Sequence, residues 1–161
     1  MKLIRNLCPI IFNDNIELLN SRSLPIYCAC AKQNIEDDLI YEEEFAICKD
    51  SEGLFLNKLI PLEILYKNGH YIGSVGKIWD EHHKVFTDFI ANADSSNILE
   101  IGGGHGKLSQ NYLKFKNANW TIIEPDSKHK FDNVNYIDEF FSKNICQDTK
   151  YDAIVYSHTL E

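Results

Sequence analysis

No apolar run in this chain reaches the roughly 18 residues that a membrane-spanning helix needs, so no span is expected. Nor does the start read as an export signal. The start, Met1-Lys2-Leu3-Ile4-Arg5-Asn6, is charged, and Asn13, Asp14 and Asn15 break up the apolar residues behind it. The expected location is therefore the cytoplasm. Cations are scarce: 16 Lys and Arg face 24 Asp and Glu, for a net charge of −8. Phosphate contacts need clustered Lys and Arg, so nucleic acid is excluded as an expected partner. C-x-x-C pairs are also absent. Cys8 is followed by Pro9-Ile10-Ile11, and Cys28-Ala29-Cys30 is C-x-C. With Cys48 and Cys146 the thiols number five, and an odd count without an export signal reads as free cysteines. Cys8, Cys28, Cys30 and Cys48 would all be needed to close a tetrahedral zinc site. Buried free thiols are the better reading of this spacing, and no metal is expected. No internal repeat or low-complexity segment breaks the chain.

A 44% hydrophobic content over 161 residues is enough for one good core, or one core and a small appendage. Residues 1–68 carry short apolar pieces broken by turn residues. Leu24-Pro25-Ile26-Tyr27 and Gly53-Leu54-Phe55-Leu56 read as strand pieces, and residues 61–66 as a short helix. The acidic run Glu42-Glu43-Glu44 reads as a solvated face. This part is expected to be a small irregular α+β lid or substrate module, joined by the turn-rich Asn68-Gly69-His70-Tyr71-Ile72-Gly73 to a second domain over residues 69–161. Ser74 caps the helix that follows. Val75, Ile78, Trp79, His82, Phe86, Phe89 and Ile90 fall on one side of it at three- and four-residue steps.

The densest signal covers residues 97–107, Asn-Ile-Leu-Glu-Ile-Gly-Gly-Gly-His-Gly-Lys. A short apolar run ending at Glu100-Ile101 reads as a buried strand. Gly102, Gly103, Gly104 and Gly106 form a loop, and residues 107–116 read as a helix. Strand, glycine loop and helix together are how a doubly wound sheet receives a nucleotide-like ligand. The dinucleotide pattern G-x-G-x-x-G fails, because Lys107 holds its last glycine position, and no Walker Lys-Ser pair follows. Trp120-Thr-Ile-Ile-Glu124 reads as a second strand ending in an acid about twenty residues after the loop, where such folds hold ribose hydroxyls. A third strand is expected at residues 134–137 and a fourth at residues 151–157, followed by His158.

The pattern E-x-G-x-G-x-G from Glu100 to Gly106 resembles motif I of S-adenosylmethionine-dependent methyltransferases of the Rossmann-like class. Tyr151-Asp-Ala-Ile-Val-Tyr-Ser-His-Thr-Leu-Glu161 resembles motif IV of the small-molecule and sugar methyltransferases. The resemblance covers residues 97–161 well and residues 69–90 more loosely. It implies an α/β Rossmann-like methyltransferase sheet with strands one to four in the order 3-2-1-4. The implied cofactor is S-adenosyl-L-methionine. The implied partner is a small-molecule acceptor, such as a sugar or nucleotide-linked sugar of surface polysaccharide biosynthesis. Some sugar methyltransferases carry an N-terminal zinc module built on paired C-x-x-C motifs, from which this chain departs.

By the same resemblance, Glu100 orients the methionine amino group, directly or through water. Gly102, Gly103, Gly104 and Gly106 approach the cofactor, and Glu124 holds the ribose. Asp138 and Phe140, beside Glu139 after the third strand, serve the adenine. Ser157 lies beside the cofactor, and Tyr71 closes over its methionine end. For the acceptor's proton, His158 is the first candidate, since histidine titrates near neutrality. His82 reads as a core histidine, His83 as exposed and His105 as a loop residue pointing to solvent. Two other readings stay open: a non-catalytic cofactor- or partner-binding module, and a nicotinamide-dependent oxidoreductase. The related enzymes build seven strands, and only four are found here. The chain is therefore expected to be a truncated piece of a longer enzyme, or one that self-associates through the exposed edge of its fourth strand.

Overall fold

A computed structural model describes residues 3–26, 34–66, 76–127, 129–145 and 148–159. The chain divides into two compact units, residues 1–70 and 71–161. Among the described residues no helix is long and apolar enough to cross a membrane.

In the first unit, strands β2 (Ile16–Pro25) and β3 (Ile40–Cys48) pair antiparallel, with an irregularity between Leu18 and Asn20. Strand β4 (Leu54–Leu56) adds to the other side of β3. Strands β1 (Leu3–Ile4) and β5 (Lys58–Leu59) form a separate two-stranded pair. A 3-10 turn (Ile35–Asp37) and the one-turn helix α1 (Leu62–Leu65) complete the unit. The small core is Cys8, Ala46, Cys48 and Phe55, packed by Ile16. Cys8 and Cys48 are buried free thiols. Burial raises the Cys8 thiol, but hydrogen bonds from Ser51, from the backbone of Ile11 and Ile10 and from Cys48 bring it down to about 7. Cys28 and Cys30 lie outside the described residues.

The acidic run departs from the solvated face its composition suggests. Glu42, Glu43 and Glu44 lie on β3, where alternate side chains face opposite sides. Glu44 is therefore buried, 2.9 Å from Lys58 Nζ, and accepts a hydrogen bond from Asn57 Nδ2 at 2.7 Å. The Asn57 and Lys58 contacts hold its carboxyl below the usual range. Glu43 pairs with Arg22 across the hairpin, and Glu42 with Lys58. A paired charge is what makes burial of an acid tolerable.

The second unit opens with helix α2 (Lys77–Ala91). Strand β6 (Asn97–Ile101), helix α3 (Lys107–Leu113), strands β7 (Asn119–Ile123) and β8 (Asn135–Ile137), and strand β9 (Ala153–Tyr156) follow. The four strands form one parallel sheet in the order β8-β7-β6-β9. The α/β class and a parallel sheet are thus as the sequence pattern predicts. The strands are short and apolar because both faces of the inner ones are buried. On one face Ile98, Trp120, Ile122 and Val155 pack with Ile90 of α2 and Leu108 and Tyr112 of α3. On the other, Leu99, Ile101 and Ile123 pack with Ile137, Ile145 and Tyr151. Asp152 anchors the start of β9. Its Oδ2 accepts from the Ser96 and Asn97 N–H groups at 3.0 and 2.9 Å, and the Ser96 bonds lead in keeping its carboxyl low. The helix cap expected at Ser74 and the turn-rich join lie outside the described residues.

Helix α2 corrects one sequence expectation. Ile90 and half-buried Phe86 face the core, but Ile78 and Phe89 are 86% and 71% exposed. The periodic apolar pattern hides two stripes: one packs on the sheet and the other is open.

Candidate functional site

From β6 the chain runs outward through α3 to β7 and β8, then returns to place β9 on the other side of β6. The strand order therefore reverses between β6 and β9, and in open α/β sheets ligands bind at such a switch point, outside the carboxyl ends of the strands. The glycine loop sits at the carboxyl end of β6, and Ser157 and His158 sit at that of β9.

Each loop glycine has its own setting. Gly102 keeps its N–H on the Ile123 carbonyl at 2.8 Å, so the loop leaves β6 while still held to β7. A Cβ on Gly103 would stand 2.8 Å from both Glu100 Cδ and Ile122 Cγ2, so only glycine lets the loop lie that close to the sheet. Gly104 has φ +53, with nothing within 4 Å of where a Cβ would be, so its outer side is open. Gly106, at φ +68, is the first flanking residue of α3. Lys107 follows and pairs with Asp80 of α2.

Across from the loop, half-buried Glu124 ends β7. Its Oε2 accepts from the Gly104 N–H at 3.1 Å and its Oε1 from the Asp126 N–H at 3.2 Å. A carboxylate has about four acceptor sites, and among the described residues two of them are used. The Glu124 N–H bonds the Ile137 carbonyl at 3.1 Å, which brings the end of β8 alongside. Asp138 follows there, exposed and paired with Lys130, and Phe140 is half-buried. Tyr71 lies outside the described residues.

Glu100 is placed under the loop. It is 5% exposed, shares the inner face of β6 with Ile98, and accepts from Trp120 Nε1 at 2.8 Å. Its burial among apolar side chains pushes the carboxyl up to about 8, against the lowering by Trp120, with Glu124 adding to the rise. A buried acid this high is neutral at pH 7. The carboxyl faces the indole and the underside of Gly103, not the open side of Gly104.

At the end of β9 the structure brings together residues that the sequence pattern leaves apart. His82 Nε2 lies 3.0 Å from Ser157 Oγ. The exposed His158, at φ +54, stands edge-on to Trp79 with ring centres 5.1 Å apart, and 5.8 Å from the His82 ring. His82 is thus bonded to the site rather than sealed in the core. His83 is half-buried, not exposed as expected, and burial first, then His82 and Lys107, push its imidazole down. The signal for Trp79, His82 and His83 was their i, i+3, i+4 spacing. They occupy the first half of a helix leading into β6, the end that lies nearest the glycine loop.

Among the described residues no three His, Cys, Asp or Glu side chains are grouped so as to hold a metal ion. Neither the models of known protein families nor the curated proteins compared with this chain match it.

Proposed function

We propose that the chain binds S-adenosylmethionine and directs its methyl group to a small-molecule acceptor. The observation that carries this reading is the Glu124 carboxylate, pinned by the Gly104 and Asp126 N–H groups beside a glycine loop at the switch point of a parallel sheet. The open side of Gly104 leaves room for a ligand, and the Glu124 carboxylate suits ribose hydroxyls. When bound, the cofactor supplies a sulfonium-activated methyl group, so the protein's work is positioning and proton removal. Ser157 and His158 stand at the end of the neighbouring strand. There an imidazole can take a proton from an acceptor hydroxyl or amine. His82, bonded to Ser157, fixes that hydroxyl. The Rossmann-like methyltransferase class and the sugar or nucleotide-linked sugar acceptor rest on the motif resemblance. A methylation assay with nucleotide-linked sugars and labelled cofactor tests the activity, and label in the sugar is the expected outcome. Cofactor binding without label transfer to any acceptor would favour the second reading, a binding module without turnover.

Gly104→Val puts a branched side chain into the open side of the loop. S-adenosylhomocysteine binding is expected to fall tenfold or more, on the order of 1.4 kcal/mol. The positive φ also disfavours a branched residue, so the measurement pairs a binding titration with a thermal unfolding curve. Unchanged affinity in a folded variant would remove the loop from the site.

A further inference from the structure

The first unit buries two thiols side by side. Cys8 and Cys48 are both 0% exposed, belong to the same small core, and hydrogen-bond each other through their sulfurs. Two clasped turns bring them together. The turn after Cys8 is closed by the Phe12 N–H on the Cys8 carbonyl at 2.9 Å and by the Cys8 N–H on the Asn13 carbonyl at 2.7 Å. The turn after Cys48 is closed by the Cys48 N–H on the Gly53 carbonyl at 3.0 Å, and Ile10 packs where a Cβ on Gly53 would stand. Polar groups ring the sulfurs. Ser51 Oγ is 3.5 Å from Cys8 Sγ, and the Ile10 and Ile11 N–H groups donate to the same sulfur. Cys48 Sγ donates to Asn13 Oδ1 at 3.4 Å. A buried thiol among apolar side chains alone is inert, whereas donors aimed at a sulfur stabilise the thiolate, which is its nucleophilic form. The cover over the pair is a single turn, whose Ile10, Ile11 and Phe12 are 57%, 46% and 75% exposed.

We propose that Cys8 and Cys48 are an oxidation site, at which a peroxide converts the two thiols into a reversible disulfide. Cys8 is the attacking group, because the donors converge on its sulfur. Its thiolate attacks hydrogen peroxide: an S–O bond forms, the O–O bond breaks, and Cys8 becomes a sulfenic acid. The hydroxide that leaves takes up the proton Cys8 has released. Cys48 then attacks the Cys8 sulfur. The S–S bond forms, the S–O bond breaks, and the departing hydroxide leaves as water with the Cys48 proton. Two thiols are oxidised and one peroxide is reduced to two waters. Cys48 is the last residue of β3 and Cys8 opens a turn. Closing to the about 2.05 Å of a disulfide therefore moves side chains at the end of the sheet rather than inside it. The bond would tie together the two ends of the segment that carries β2 and β3, a long loop of the kind that gains most from a crosslink. Thiol exchange with a small dithiol reverses it. This inference does not depend on what the switch-point site binds.

Peptide mass spectrometry tests it. The reduced, folded chain is treated with a small excess of hydrogen peroxide, alkylated without reduction and digested. The peptides that carry Cys8 and Cys48 are expected to appear joined, and to separate on treatment with dithiothreitol. Their yield is expected to be roughly tenfold higher than from chain oxidised in urea, because the fold holds the two sulfurs together. In Cys48→Ser, Cys8 is expected to stop at the sulfenic acid and to take up dimedone. The proposal would be overturned by a Cys8–Cys48 link no more abundant from folded than from unfolded chain. Cys8 joined instead to Cys28, Cys30 or Cys146, both thiols still alkylated after treatment, or no dimedone on Cys8 in a Cys48→Ser chain with wild-type circular dichroism would each overturn it as well.

Discussion

Replacing Glu124 with alanine is expected to weaken S-adenosylhomocysteine binding roughly tenfold to a hundredfold, since charge-assisted hydrogen bonds contribute about 1.5–3 kcal/mol. Among the described residues the carboxylate accepts from the N–H groups of Gly104 and Asp126, beside the ends of β6 and β7. Water can replace it on those groups, so unfolding stability should fall by much less than the binding energy. A deoxyribose analogue of the ligand separates the two roles. Wild type should lose affinity for it, while Glu124→Ala should bind parent and analogue alike, because residues in contact are not additive. If wild type binds the analogue as tightly as the parent, Glu124 does not hold the ribose.

The second large effect is on stability. Glu100→Gln is expected to flatten the pH dependence of unfolding in the second unit. The folded acid titrates at about 8, well above its ordinary 4.5, so the native state holds a proton that the unfolded chain releases. Its contribution is therefore fully present below the unfolded value and is lost as pH rises through 8. Glutamine keeps an oxygen for Trp120 Nε1 and removes the titration. Above pH 8 the variant should be the more stable protein, by several kcal/mol in the limit where the carboxylate stays buried. Urea unfolding between pH 5 and 9, followed by the fluorescence of Trp79 and Trp120, reads the difference directly. Parallel curves for the two proteins would show that Glu100 is not buried as an acid.

The strands and the glycine loop were legible because their signals are local. Ile98, Leu99 and Ile101 form a short apolar run around Glu100, and only glycine suits the close approach at Gly103. Glu124 was legible from its distance to the loop. Other features depended on partners far away in sequence. Nothing near Glu100 announces that Trp120, twenty residues on, takes its carboxyl into the core. The acid reads equally well as a ligand contact. Glu44 is buried because Asn57, between β4 and β5, and Lys58 of β5 meet it. His82 reads as a core residue until Ser157, 75 residues later, arrives beside it. The open stripe of α2 was hidden because Ile78 and Phe89 keep helical spacing with core residues, and periodicity does not say which apolar side meets the sheet.

The switch-point site is expected to take an adenosyl sulfur ligand rather than a dinucleotide. Isothermal titration calorimetry of the whole chain with S-adenosylhomocysteine and, separately, with NAD tests it most directly. The predicted result is saturable heat at one site per chain for S-adenosylhomocysteine and none for NAD. Saturable binding of NAD, with none of S-adenosylhomocysteine, would contradict it.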